Sequence, residues 1–171
     1  TSNQSRLIKK ITNSWYSESI RIGNYEENLP HEVITNNFFL KHLNINTKPK
    51  IFNVKKNPSF AIKIQYTYFV IFPGSSNSLR NWKVENFINI AKLICEKYRL
   101  VPVICGNSSE ISLSKKIIST SPHLNWYSLV GETSIGQLVE VIRNASFLIS
   151  NETSAVHIAE SVGTKCFCIL G

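Results

Sequence analysis

Aspartate is missing from all 171 residues; the eleven acidic side chains are all glutamate. A catalytic step that needs an aspartate carboxylate must therefore find it outside this sequence. Cysteine is scarce, and Cys95, Cys105, Cys166 and Cys168 form neither a C-x-x-C pair nor a metal-ligand spacing, which argues against zinc. Each lies in an otherwise apolar segment, so buried, reduced thiols in a cytosolic protein are expected. Long apolar runs are also missing. No stretch of roughly 18 residues or more is apolar throughout, the length a membrane-spanning helix needs. The opening TSNQSRLIKK has no apolar core of a secretory signal.

What is present is a globular composition with a basic bias. With 43% hydrophobic and 18% charged residues, the chain can bury an ordinary core, either one domain with extra material or two small domains. The net charge is +8, and residues 1–66 carry ten Lys/Arg against four Glu. That excess is scattered, as a solvated basic face or a contact for an anionic membrane surface would be. No RNA- or DNA-binding motif accompanies it, so nucleic acid is not an expected partner.

From Tyr68 onward, short apolar runs alternate with amphipathic ones. YFVIF (68–72) predicts a strand closed by Pro73-Gly74. VENFINIAKLICEKY (84–98) sets Phe87, Ile90, Ala91, Ile94 and Cys95 at helical spacing. LVPVICG (100–106) predicts a strand, SSEISLSKKIIS (108–119) a helix, and LNWYSLVG (124–131) a third strand or an extended connection. SIGQLVEVIRNA (134–145) predicts a helix with Ile135, Leu138, Val139 and Ile142 on one face. FLIS (147–150) and KCFCIL (165–170) read as strands around the helix SAVHIAESVG (154–163). Such alternation implies an α/β fold, a Rossmann-like parallel sheet with helices on both faces. Ligands of such sheets sit beyond the carboxyl ends of the strands.

The region before it is less regular. HEVITNNFFLKHLNI (31–45) reads as an amphipathic helix with Val33, Ile34, Phe38 and Leu43 toward a core, and residues 44–60 as a polar connection. Residues 1–30 show no complete domain pattern, and Gly171 falls where a strand should open into a further loop. A truncated α/β domain preceded by part of another is the expectation.

Three strand-to-helix loops carry candidate chemistry. FPGSSNSLRNW (72–82) offers the hydroxyls of Ser75 and Ser76, and Arg80, whose guanidinium can clamp a phosphate; a plain polar turn has the same composition. CGNSSE (105–110) sets Glu110 at a helix start, as a cap or as an acceptor for ribose hydroxyls. In LISNETSAVHIAESVG (148–163), Thr153 or Ser154 can cap a helix and leave the N–H groups of Ala155, Val156 and His157 facing an anion. His157 follows Thr153 by four positions, on the same helix face. Glu152 suits neutral sugar hydroxyls rather than phosphate. Against these stand His157 as a core histidine, or as the structural partner of Glu160 one turn on.

In this order the motifs FPGSSNSLRNW, ICGNSSE and LVGETSIGQLVEVIRNASFLISNETSAVHIAESVGTKCFCILG resemble the carboxyl-terminal domain of family 9 glycosyltransferases, the heptosyltransferases of lipopolysaccharide synthesis. HEVITNN is similar to that family's His-Glu-Val…Asn helix before the interdomain linker. The resemblance implies the C-terminal half of a two-domain GT-B enzyme. Residues 1–45 would end the N-terminal acceptor domain, 46–66 form the linker, and 67–171 the nucleotide-sugar-binding domain. The implied reaction is inverting and uses neither metal nor cofactor. Ser75, Ser76 and Arg80 (in place of the usual Lys) would hold the diphosphate, and Glu110 the ribose. Glu152, where Asp is usual, would hold the donor sugar. Thr153, Ser154 (in place of Gly) and His157 would line the helix start, with His157 stabilising the leaving diphosphate.

The implied partners are a nucleotide-sugar donor, an ADP-sugar being favoured, and a glycan or lipid-linked acceptor. The setting would be cytoplasmic, at the inner face of the membrane. The family's general base is an aspartate in the amino-terminal domain, so this chain alone would bind without catalysing. The Glu152 and Ser154 replacements also motivate an alternative, a non-catalytic nucleotide- or phosphate-binding Rossmann module.

Overall fold

The computed structural model describes residues 32–48, 53–75 and 81–170. Ser76, Arg80 and the reading of residues 1–30 lie outside the described residues, as does the side chain of Val33. The chain divides into two compact units, Thr1–Ile51 and Phe52–Gly171.

In the first unit, α1 spans Glu32–His42, with Lys41 in its last turn, where positive charge meets the negative end of the helix dipole. Asn44 follows with φ 59°, a left-handed conformation that asparagine tolerates. The expected apolar face is not buried: Ile34, Phe38 and Leu43 are exposed. Adjacent Phe38 and Phe39 point about 100° apart, and the helix stops at His42, before Leu43. No single stripe gathers these side chains.

The second unit is the expected Rossmann-like α/β layer. Its strands are β1 (Tyr68–Phe72), β2 (Val101–Ile104), β3 (Tyr127–Ser128), β4 (Leu148–Asn151) and β5 (Cys166–Ile169). They form one parallel sheet in the order β3-β2-β1-β4-β5. β1 lies at the centre, with Val70 opposite Val103 on one side and Leu148 on the other. All five of its residues are buried, which is why YFVIF shows no alternation with polar residues.

Between the strands run α2 (Val84–Tyr98), α3 (Ile111–Thr120), α4 (Ile135–Asn144) and α5 (Ser154–Val162). On one face Phe69 and Ile71 pack with Phe87, Ala91 and Ile94 of α2, and Ile104 packs with Ile117 of α3. On the other, Tyr68, Val70 and Phe72 pack with Val141 and Ile142 of α4 and with Ala155 and Ala159 of α5. The expected α4 stripe needs two corrections. Ile135 is 79% exposed, because it opens the helix at a polar capping box between Ser134 and Gln137. Val139 is only partly buried and does not pack on this core, so the stripe begins at Leu138 and continues through Val141, Ile142 and Ala145.

Two further expectations are revised. The expected polar connection of residues 44–60 is anchored to the second unit through Val54 and Asn57, and just beyond it Ile62 and Ile64 pack on the α4–α5 side of the core. Val54 N–H donates to Ser161 O at 3.0 Å, and Asn57 N–H donates to the buried Glu140 carboxylate at 3.0 Å. Of the cysteines only Cys105 is buried; Cys95 and Cys166 are partly buried and Cys168 is exposed. Cys166 and Cys168 belong to β5, at the sheet edge, where fewer elements cover a side chain. Among the described residues, no helix is long and apolar enough to cross a membrane.

Candidate functional site

All carboxyl ends of a parallel sheet lie along one edge. Here β1 leads outward to β2 and β3, whereas β4 and β5 lie on its other side. The strand order therefore reverses between β1 and β4, opening a crevice at their carboxyl ends. The polar loops picked out in the sequence leave the sheet at this edge.

Across the crevice reaches Asn151, the last residue of β4 and wholly buried. Its Nδ2 donates to Pro73 O at 2.6 Å, and its Oδ1 accepts from Trp82 N–H at 3.0 Å. Ser75 Oγ donates to Asn81 Oδ1 at 2.7 Å. Trp82 sits edge-on to Phe87, with ring centroids 5.2 Å apart, joining this loop to the apolar face of α2.

Glu110 draws the β2 loop toward the β1 loop. It ends a short 3-10 turn, Ser108–Glu110, and forms a capping box with Asn107. Glu110 Oε2 accepts from Asn107 N–H at 2.7 Å. The carboxylate also lies against two glycines: a Cβ on Gly74 would fall 1.2 Å from Glu110 Oε1, and one on Gly106 2.6 Å from Oε2. Burial raises the Glu110 pKa, and the Asn107 N–H bond opposes that rise. The cap reading is thus observed, with the carboxylate at the junction of two strand-end loops.

At the start of α5, Thr153 is the N-cap, its Oγ1 accepting from Ala155 N–H at 3.2 Å. Val156 N–H donates to Thr153 O at 3.1 Å. Two of the three amides expected to face outward are therefore used within the cap itself. Ser150 Oγ, which donates to Asn151 O at 2.7 Å, lies 3.1 Å from Thr153 Oγ1. His157 is exposed, which removes the core-histidine reading. Glu152 and Ser154 are exposed beside it, and the Glu152 carboxylate helps to raise the pKa of Cys168. Among the described residues no group of three or more His, Cys or Glu could hold a metal ion.

The structure thus brings together Ser75 and Glu110, by way of Gly74, and places Glu152, Thr153, Ser154 and His157 on the neighbouring strand end. Sequence reasoning passed over Asn151, although one polar residue closing the apolar run LISN was a signal. It also passed over Asn107, whose spacing to Glu110 is a capping-box signature. The closeness of Gly74 to Glu110 left no local trace.

Comparison with known proteins points one way. A family model described as glycosyltransferase family 9 (heptosyltransferase) matches residues 36–171. The lipopolysaccharide core heptosyltransferase OpsX of Haemophilus influenzae is 25% identical over 97 residues, covering 56% of this chain and 27% of that protein. A family 9 glycosyl transferase from Veillonella parvula superposes with a TM-score of 0.73 at 13% identity, over 87% of this chain and 45% of its own. The E. coli heptosyltransferase WaaC with ADP-2-deoxy-2-fluoro heptose gives a TM-score of 0.63 at 16% identity, over 92% of this chain and 49% of its own. At such identities the structural likeness is one of fold. The chain spans less than half the length of each of these relatives.

Proposed function

Because the chain belongs to glycosyltransferase family 9 (heptosyltransferase), we propose that the carboxyl ends of β1, β2 and β4 form the nucleotide-sugar site of a glycosyltransferase. The whole protein would move a sugar such as heptose from a nucleoside diphosphate, ADP being favoured, to a lipopolysaccharide or related glycan acceptor. Residues 67–171 would form the donor domain, 46–66 the linker, and 1–45 the end of the acceptor domain. One observation supports this most: Glu110 lies against Gly74 and Gly106, so a ribose acceptor and a phosphate-facing loop share one edge of the sheet.

In this reading Glu110 receives ribose hydroxyls, while Ser75, Ser76 and Arg80 face the diphosphate from one side. Thr153, Ser154 and His157 face it from the start of α5, and Glu152 receives hydroxyls of the donor sugar. An acceptor hydroxyl attacks the anomeric carbon from the face opposite the diphosphate, inverting that centre. Its proton passes to a general base that the family resemblance assigns to an aspartate of the amino-terminal domain, a residue type this chain lacks. The bond from carbon to the diphosphate oxygen breaks, and negative charge grows on the leaving group. Arg80 and an exposed His157 stabilise that charge more in the transition state than in the ground state, without a metal. The net charge of +8 suits an anionic membrane surface carrying a lipid-linked acceptor, at its cytoplasmic face.

Thermal shifts with ADP, UDP, GDP and CMP test the site. At about 100 times its dissociation constant a ligand adds roughly 2.7 kcal/mol, a rise on the order of 5–10 °C for a chain of this size. The rise should occur with one nucleoside diphosphate and vanish in a Glu152→Ala, His157→Ala double variant. No rise with any of the four, or a rise untouched by the double variant, would remove the site from this edge of the sheet. In the catalytically competent protein His157→Ala should cut turnover by on the order of 10²-fold.

A further inference from the structure

We propose that Asn151 is a positioning residue of the donor site, holding the loop after β1 at a set distance from the start of α5 so that both reach one diphosphate. The proposal rests on the donor-site reading above. Asn151 is wholly buried, so it does not itself meet a ligand. Its side chain spends one donor and one acceptor on the β1–α2 loop, through Pro73 O at 2.6 Å and Trp82 N–H at 3.0 Å. Pro73 stands where that loop leaves β1, and Trp82 where it returns toward α2. Both ends are thus held by one amide from β4, across the line where the strand order reverses. The Ser75–Asn81 bond at 2.7 Å closes the same neck.

The chain after Asn151 runs directly into Glu152 and Thr153, the N-cap of α5. Loss of the Asn151 amide therefore frees the β1–α2 loop to shift relative to the start of α5. A primary amide suits this place because it is neutral and offers a donor and an acceptor from one group. A carboxylate there would face Pro73 O with a negative charge, and an alkyl group would leave Pro73 O and Trp82 N–H without this partner.

The test titrates ADP into wild type, Asn151→Ala, Asn151→Asp, Ser75→Ala and the Ser75→Ala, Asn151→Ala double variant, well below every melting temperature. Asn151→Ala should weaken ADP by on the order of 10-fold. Ser75→Ala should cost less in the Asn151→Ala background than in wild type, because the loop it acts from is already displaced. Asn151→Asp should bind poorly at neutral pH. Relative to wild type at each pH, it should recover as the pH falls, since a protonated carboxyl again offers one donor and one acceptor. Should Asn151→Ala fail to fold, this acid recovery decides alone.

Variants that melt lower yet bind ADP as wild type does would overturn the role of Asn151 and leave the donor site standing. A wild-type protein that binds no nucleoside diphosphate would overturn both.

Discussion

The carboxylate of Glu110 lies where a side chain on residue 74 would have to go, a Cβ on Gly74 falling 1.2 Å from Glu110 Oε1. The two residues come from different loops, one after β1 and one after β2. Their contact requires glycine at position 74, for space rather than for backbone freedom.

Gly74→Ala should therefore displace the Glu110 side chain and break its bond to Asn107 N–H. The expected cost is about 1–2 kcal/mol, or a melting temperature lower by roughly 2–8 °C. Adding Glu110→Ala should cost less than it does in wild type, since the clash is then gone. Strictly additive losses in calorimetry would mean that the two residues do not meet.

The Glu110 carboxyl titrates above its ordinary 4.5, mainly through burial. The folded state then holds this proton more tightly than the unfolded chain, so its contribution is fullest below pH 4.5 and is lost as pH rises through the elevated folded value. Glu110→Gln should lack that loss. The melting temperature of wild type minus that of the variant should fall as pH rises from about 4 to about 7. A flat or rising difference would contradict the burial of the charge.

Glu140 is wholly buried, pairs with Arg143 Nε at 3.2 Å, and accepts from Asn57 N–H. Arg143 in turn donates to Val54 O at 2.6 Å. Glu140→Ala should cost about 3 kcal/mol, as loss of one partner of a buried pair does, a fall on the order of 10 °C. Protease cleavage within residues 53–60 should rise with it, because their anchors are gone. Melting within about 2 °C of wild type, with unchanged cleavage, would refute the anchor.

A thiol reagent should modify Cys168 first and Cys105 last. Cys105 is buried, and burial pushes its pKa up to about 12, leaving almost no thiolate near neutrality. Cys168 is exposed, with a pKa raised by burial of part of its surface and by the Glu152 carboxylate. Glu152→Gln removes that negative charge and should speed labelling of Cys168, followed by peptide mass spectrometry. Equal rates would separate the two side chains.

Much of the fold was legible because its signals are local. The expected strand at residues 68–72 and helix at 84–98 have the observed bounds, since an unbroken apolar run and a 3.6-residue period are properties of neighbouring residues. Ser134 three positions before Gln137, and Gly163 with φ 77° after α5, likewise mark helix ends from short spacings. Where local signals compete, the helical period alone does not fix which side chains are buried. Ile135 fits the helical period yet is exposed, and α1 carries apolar residues on more than one side.

The amino-acid order alone sufficed to write the alternation of strands and helices, the strand end at residues 150–154 and the candidate polar groups on three loops. Tertiary structure decided which of those groups meet. Asn57 and Glu140 are 83 positions apart, Pro73 and Asn151 78, and Trp82 and Asn151 69. A buried polar side chain must find partners wherever the topology brings them, and no periodicity within one segment encodes a partner in another. Glu110 could be read as a cap from four consecutive residues, but its seat against Gly74 exists only because β1 and β2 are neighbours in the sheet.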